Sequence, residues 1–183
     1  YEQKVDPTYF RESDAKELFQ YVRQKRYLPV VDRILGGQGL SVPCKKRIAK
    51  SGTSKKRVVY SLPDDEAMVL KLLTWLIIRK YDAYLSGNLF SFRPHYGAKD
   101  ALKYLAAMPD MSEYNSYKLD VSNYFNSIDT GTLLPLLKEV FADDPLLYEF
   151  IESQLTDLRV MDEGNLIEEK KGVMAGMPYA VFL

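Results

Sequence analysis

The sequence is almost without cysteine and histidine, the residues on which disulfide frameworks, Cys/His zinc sites and most hydrolytic triads depend. Cys44 is its only cysteine and His95 its only histidine among 183 residues. A disulfide needs two cysteines, and structural zinc sites use several Cys or His ligands. An internal disulfide is therefore excluded, and we expect neither a Cys/His zinc site nor a Ser-His-Asp or Cys-His triad. We expect any bound metal ion to be held by oxygen ligands.

Long apolar runs and net charge are also lacking. No stretch of 18 apolar residues occurs, and Lys and Arg balance Asp and Glu at 25 each. The chain starts at Tyr1 without a signal sequence, and it ends in the apolar run 177–183, which resembles the beginning of a helix. We therefore expect a soluble cytoplasmic protein with no membrane span, present here as a fragment of a longer chain.

Charge is unevenly distributed along the sequence. Residues 45–57 contain seven cations and no acid, whereas Asp and Glu dominate residues 141–169. A solvated surface hairpin is the ordinary interpretation of such a basic run, and a phosphate-binding surface is the alternative. The distribution predicts that the basic end attracts phosphates while the acidic end faces water.

Helical periodicity and strand alternation predict the secondary structure. A helix from Asp14 should continue past Lys25 to a break at Pro29, and two strands should lie within 42–62. A long helix should begin at Pro63 and bury Met68, Val69, Leu72, Leu73, Leu76 and Ile77. The remaining predictions are helices at 98–108, 132–141 and 145–158, a core strand at 117–121, and a hairpin formed by 158–161 and 166–167.

The segment 117–129, YKLDVSNYFNSID, places Asp120 near the end of a short apolar strand. An Asp beside Asn and Ser is usually a turn or helix-cap residue, and a metal ligand is the alternative. Asp129 in the same segment is predicted to cap a helix. Three further segments stand out: the basic stretch 47–63, the stretch 86–102 containing FRPHYG, and the glycine-bearing stretch 172–183, GVMAGMPYAVFL.

These four segments, in this order, resemble the motifs of reverse transcriptases, especially the bacterial group II intron and retron-like enzymes. The resemblance implies an α+β right-hand polymerase with fingers at 1–115 and a partial palm at 116–183. The fingers would carry the basic hairpin, and the palm would carry a small antiparallel sheet. The implied partners are an RNA template, a DNA or RNA primer and a dNTP. Met174, Ala175 and Ala180 depart from the family pattern, which often has Pro, Gln and Ser there.

The resemblance also implies a catalytic role for Asp120. Its carboxylate and the carbonyl of Val121 would hold two Mg²⁺ ions, together with carboxylates of a later Tyr-x-Asp-Asp motif. That motif is absent from the 183 residues. Because a site for two ions loses most of its rate without a ligand, we expect this chain alone to be unable to polymerise.

Two further groups of residues follow from the same resemblance. The implied nucleotide-binding residues are Arg57, Lys50, Lys56, Phe125 and Gly176, with Phe125 as a steric gate against the ribose 2′-OH. The implied nucleic-acid-binding residues are Lys45, Lys46, Arg47, Lys55 and Arg93. Three alternatives remain open: Phe125 as a core residue, Gly176 as a plain loop glycine, and Arg93 in a buried ion pair that joins the fingers to the palm.

Two other functions compete with the polymerase. One is a defence-associated reverse transcriptase that makes DNA without a conventional template. The other is a non-catalytic, maturase-like RNA-binding module in which the basic fingers bind RNA and Asp120 has lost its catalytic role.

Overall fold

The computed structural model describes residues 12–49, 52, 54, 56–93, 95–169 and 172–183. These residues form seven α-helices and one four-stranded sheet. The helices are α1 (Glu12–Arg23), α2 (Leu28–Leu35), α3 (Asp64–Lys80), α4 (Ala98–Ala106), α5 (Tyr124–Ser127), α6 (Thr130–Val140) and α7 (Pro145–Thr156). The strands are β1 (Cys44–Ala49), β2 (Lys56–Ser61), β3 (Arg159–Asp162) and β4 (Asn165–Glu168). Short 3-10 helices cover Asp82–Tyr84, Met111–Glu113 and Pro178–Val181.

The sheet joins the two halves of the chain. Its order is β2-β1-β3-β4, with antiparallel pairs at both ends and a short parallel contact between β1 and β3. Both predicted hairpins are present, and the mixed α and β composition agrees with the predicted class. We predicted a separate, antiparallel palm sheet, whereas the structure has one mixed sheet. The predicted units 1–115 and 116–183 each contribute two of its strands, and the boundary between them stays a prediction.

The N-terminal region contains one helix more than predicted. The predicted helix is α1, but Pro29 does not end the helical region. It occupies the first turn of α2, where the missing proline N–H costs no hydrogen bond. Tyr21 of α1, Val30 of α2 and Val69 of α3 are buried together in a small core.

Helix α3 forms where Pro63 and three acids predicted its start, and most of the predicted stripe packs inward, with Met68, Leu72 and Leu73 partly buried against the two cores. Val69 and Ile77 are buried as expected, whereas Leu76 is 55% exposed. The buried side also includes Glu66, Leu70, Thr74 and Ile78. Glu66 is tolerated in the interior because Arg33 and the backbone and hydroxyl of Ser41 donate hydrogen bonds to its carboxylate. Although burial opposes the charge, these hydrogen bonds lower the pKa of Glu66.

The main core lies between the sheet, α3, α6, α7 and the C-terminal segment. Leu70, Phe141, Ile151, Val160 and Val173 are its most deeply buried side chains. The predicted helices α6 and α7 are both confirmed. Each begins at an aspartate whose carboxylate accepts hydrogen bonds from first-turn N–H groups, Asp129 for α6 and Asp144 for α7. The predicted role of Asp129 as a cap is therefore confirmed.

The predicted core strand at 117–121 is wrong for this structure. The segment forms no strand, and the exposed fractions of Tyr117 and Leu119 are 87% and 91%. A strand requires a neighbouring backbone to satisfy its N–H and C=O groups. Among the described residues no strand lies beside this segment, so its apolar sequence alone does not make it part of a sheet.

No helix in the described part of the chain has the length and apolar character needed to cross a membrane.

Candidate nucleotide and nucleic-acid site

The residues Gly172–Met177, here called the glycine loop, lie against α5 at one end. The Val173 N–H donates to the carbonyl of Phe125 at 2.8 Å. Gly172 lies so close to α5 that a Cβ would be 2.3 Å from the carbonyl oxygen of Ile128 and 2.5 Å from that of Phe125. A side chain cannot be accommodated at these backbone distances without a shift. Glycine at position 172 is therefore needed for this contact.

The other end of the glycine loop lies along the outer edge of β2. The Tyr60 N–H donates to the carbonyl of Ala175 at 2.9 Å. Gly176 has a φ of +101°, and a Cβ there would be 2.7 Å from the Tyr60 carbonyl oxygen. Both the backbone conformation and the lack of space favour glycine. The close neighbour of Gly176 in the structure is β2, and approach of a template or nucleotide to it stays a prediction.

The glycine loop thus connects two other predicted site segments. It joins β2, which carries Arg57, to α5, which carries Phe125 and follows Asp120. The loop itself is firmly packed, since Val173 is fully buried and Met174 and Met177 are almost so. A packed connection of this kind fixes the relative positions of the segments at both of its ends.

Asp120 and Val121 lie on the surface just before α5. Both are exposed, and the chain then turns at Asn123, whose φ of +54° is left-handed. The Asn123 side-chain oxygen accepts a hydrogen bond from the Asn126 amide at 2.8 Å, which stabilises the turn. Within the described ranges, no three His, Cys, Asp or Glu side chains are grouped so that they could hold a metal ion. Asp120 therefore offers one carboxylate, part of the ligand set that Mg²⁺ requires.

Phe125 is half-buried and packs against the main core. Its ring meets that of Tyr124 edge-on, with centroids 5.2 Å apart. The position agrees with the core interpretation of this residue, and its role as a sugar gate stays a prediction.

The cations of the basic hairpin fall into two groups. Arg47 makes two 2.8 Å hydrogen bonds to the carboxylate of Asp162, and Lys45 bonds Glu169 at 2.8 Å. The Arg47 hydrogen bonds lower the pKa of Asp162, while the hydrogen bond that Lys45 donates to Glu169 raises the pKa of Lys45. Among the described residues, no carboxylate forms an ion pair with Lys46, Lys56 or Arg57. Lys50 and Lys55 lie outside the described residues.

This pairing corrects the expected separation of basic and acidic ends. Because β1 and β3 are neighbours, the acids of the β3–β4 hairpin lie beside the basic hairpin. The sequence places these regions far apart, and only the order of the strands brings them together.

Arg93 is 7% exposed and forms a bidentate pair with Asp82, with hydrogen bonds of 2.9 and 2.8 Å. It also donates to the Ser86 carbonyl, and Tyr96 stacks over its guanidinium at 4.2 Å. This is the predicted buried-ion-pair alternative, although the partner lies in the fingers part of the chain. A phosphate contact would require Arg93 to leave Asp82, and that contact stays a prediction.

Two contributions to the site went unrecognised in the sequence. Gly172 has no predicted role, although two glycines four residues apart in an apolar segment are a signal of close backbone packing. The acids Asp162 and Glu169 also went unrecognised as neighbours of the hairpin. No local signal reveals them, because their partners lie 115 and 124 residues away in the chain.

Neither the models of known protein families nor the curated protein sequences include a match to this chain.

Proposed function

We propose that this chain is the fingers and the first part of the palm of an RNA-directed DNA polymerase. In the complete protein the reaction is transfer of a deoxynucleotide from a dNTP to a primer 3′-OH, with RNA as template. The observation that carries the proposal is the two-ended packing of the glycine loop. Through it, the segment after Asp120 and the strand of Arg57 belong to one packed unit.

The proposed roles follow from the chemistry of the side chains. The Asp120 carboxylate and the Val121 carbonyl are oxygen ligands suited to Mg²⁺, with further carboxylates supplied from outside the described residues. Bound there, Mg²⁺ would activate the primer hydroxyl and neutralise charge on the transferred phosphate. Arg57 is suited to the triphosphate because a guanidinium forms charge-assisted, bidentate hydrogen bonds to phosphate oxygens. Cys44, the only thiol, is compatible with the proposed cytoplasmic location.

The test is primer extension on an RNA template by the complete protein with dNTPs and Mg²⁺. Asp120→Asn keeps the size of the side chain and removes its charge, so we expect extension to fall by about a hundredfold or more. Asp110→Asn is the matched control, because Asp110 is an exposed aspartate in a left-handed turn that Asn also favours. Extension by Asp120→Asn at the parent rate would disprove the proposal. The 183-residue chain alone should give no extension.

A non-catalytic RNA-binding module is the second candidate. The exposed cations Lys46, Lys56 and Arg57 favour it, because they can bind phosphates whether or not Asp120 binds metal. Absence of extension in the complete protein, combined with salt-sensitive RNA binding, would select this candidate. A defence-associated reverse transcriptase would instead extend a primer into DNA whose sequence is independent of the supplied template.

A further inference from the structure

The two faces of the β1–β2 hairpin carry different charges in different surroundings. Side chains alternate between the faces of a strand, and residues paired across antiparallel strands share a face. The register pairs Lys45 with Tyr60 and Lys46 with Val59. The inner face therefore includes Lys45, Arg47, Lys56, Val58 and Tyr60, and the outer face includes Lys46, Ile48, Arg57 and Val59.

Two cations of the inner face, Lys45 and Arg47, are held by carboxylates, whereas the exposed Lys56 at the end of the hairpin pairs with none among the described residues. Lys45 lies 2.8 Å from Glu169 and 3.4 Å from Asp162, and its side chain is only 13% exposed. Arg47 binds Asp162 through both of its terminal nitrogens. A phosphate could reach either cation only by displacing a carboxylate that already makes charge-assisted hydrogen bonds.

The cations of the outer face have no such competitor. Lys46 and Arg57 are exposed, and no carboxylate of the described residues pairs with either. Ile48, which stands directly opposite Arg57, is 52% exposed, so the surface between the two cations is open and apolar. The aliphatic parts of Lys46 and Arg57 can lie along this surface while their charged groups reach the same chain of phosphates.

The outer face also adjoins the glycine loop. A Cβ at Gly176 would lie 3.5 Å from the Cβ of Val59, which belongs to this face. The inner face instead continues through Tyr60 into the main core. A ligand on the outer face near Val59 would therefore lie beside the Gly176 end of the glycine loop.

We propose that the outer face, through Lys46 and Arg57, is the phosphate-binding surface of the hairpin, and that Lys45 and Arg47 are positioning residues that hold the β3–β4 hairpin in place. The ligand is a chain of phosphates, either the backbone of a single nucleic-acid strand or the triphosphate of a nucleotide. This identification rests on the proposed function. The division of labour between the two faces rests on the ion pairs and the register alone.

The first experiment measures binding of the chain to a fluorescein-labelled single-stranded RNA by anisotropy over a series of salt concentrations. For single strands, each lost phosphate contact lowers the slope of log K against log salt by about 0.7. We expect Lys46→Gln and Arg57→Gln each to lower the slope by that amount and to weaken binding roughly three- to tenfold at low salt. Binding of a dNTP to the same variants, measured by calorimetry, distinguishes the two sources of phosphate.

The matched control is the double substitution Arg47→Gln/Asp162→Asn. It removes one inner cation together with its anion, so the net charge of the hairpin region stays the same. We expect its salt slope and RNA affinity to match the parent within twofold, with a lower melting temperature as the sign of a lost positioning contact. A circular dichroism spectrum equal to that of the parent shows that each variant is folded.

Either of two outcomes would overturn the proposal. One is a fall in the salt slope of the double variant equal to that of Lys46→Gln. The other is unchanged RNA and dNTP binding in both outer-face variants. Neither outcome affects the Asp120 primer-extension test, so failure of this inference and failure of the proposed function are separate results.

Discussion

The glycine loop and the segment around Asp120 differ in packing far more than in composition. Both are short apolar segments interrupted by small or polar residues. Val173 in the loop is fully buried and is held through its backbone N–H, whereas Leu119 is 91% exposed. The difference comes from partners: the loop has α5 and β2 beside it, and the Asp120 segment has no strand beside it among the described residues. The frame of the proposed site is thus packed, while its carboxylate lies on the surface.

A Leu→Ala substitution should change the free energy of unfolding far more in the packed main core than in the exposed segment around Asp120. Leu70 is fully buried in the main core, so Leu70→Ala should lower the free energy of unfolding by about 2 to 5 kcal/mol through lost contacts and a cavity. Leu119→Ala should change it by less than about 0.5 kcal/mol, because that side chain is exposed. Urea denaturation of both variants measures the difference. A large cost at Leu119 would mean that its segment is packed in solution, and the comparison would fail.

A methyl group added to the glycine loop should have the next largest effect. Gly172→Ala places a Cβ against two carbonyl oxygens of the α5 region, so we expect a loss of about 1 to 3 kcal/mol. Gly87→Ala is the control, because a Cβ there meets nothing within 4 Å and its φ is not left-handed. Thermal melting of the two variants is the measurement. Equal melting temperatures would mean that the loop does not lie against α5 as described.

The smallest expected effect is an acid-dependent loss of stability at the inner face. The Arg47 pair holds the pKa of Asp162 below its ordinary value, so the folded state gains stability once the pH exceeds that ordinary value. This gain is lost as the pH falls through the lower pKa of the folded chain. Melting temperatures of the parent should therefore fall more steeply below about pH 4 than those of Asp162→Asn. Parallel curves of melting temperature against pH for the two proteins would show that the Arg47–Asp162 pair contributes no measurable stability.

Elements set by local sequence could be predicted, and those set by distant neighbours could not. Helix α3 follows from Pro63, the acids of its first turn and its apolar periodicity, and the β1–β2 hairpin follows from its β-branched residues and the turn residues between its strands. The parallel contact between β1 and β3 has no local signal, since Cys44 and Met161 meet only in the folded sheet. The strand prediction at 117–121 is wrong because an apolar sequence forms a strand only beside another strand, and none lies beside this segment among the described residues.

The candidate site likewise has features that the sequence predicts and features that depend on distant neighbours. Resemblance to a motif order indicates Asp120, Arg57 and Gly176, and the structure connects the segments that carry them. The pairing of Lys45 and Arg47 with acids could not be predicted, because it depends on strand order rather than on the charge of the hairpin. Counting cations along a sequence overestimates how many are available to a ligand.

The ion pairs of the inner face also have a consequence for how the protein is made. Lys45 and Glu169 are 124 residues apart, and Arg47 and Asp162 are 115 apart, so these contacts are among the least local in the chain. Contacts of this kind form slowly because a long loop must first be closed. During synthesis the basic hairpin leaves the ribosome well before its acidic neighbours. Until those neighbours are made and the sheet is complete, Lys45 and Arg47 lack the carboxylates that hold them in the folded chain and are open to other anions such as RNA.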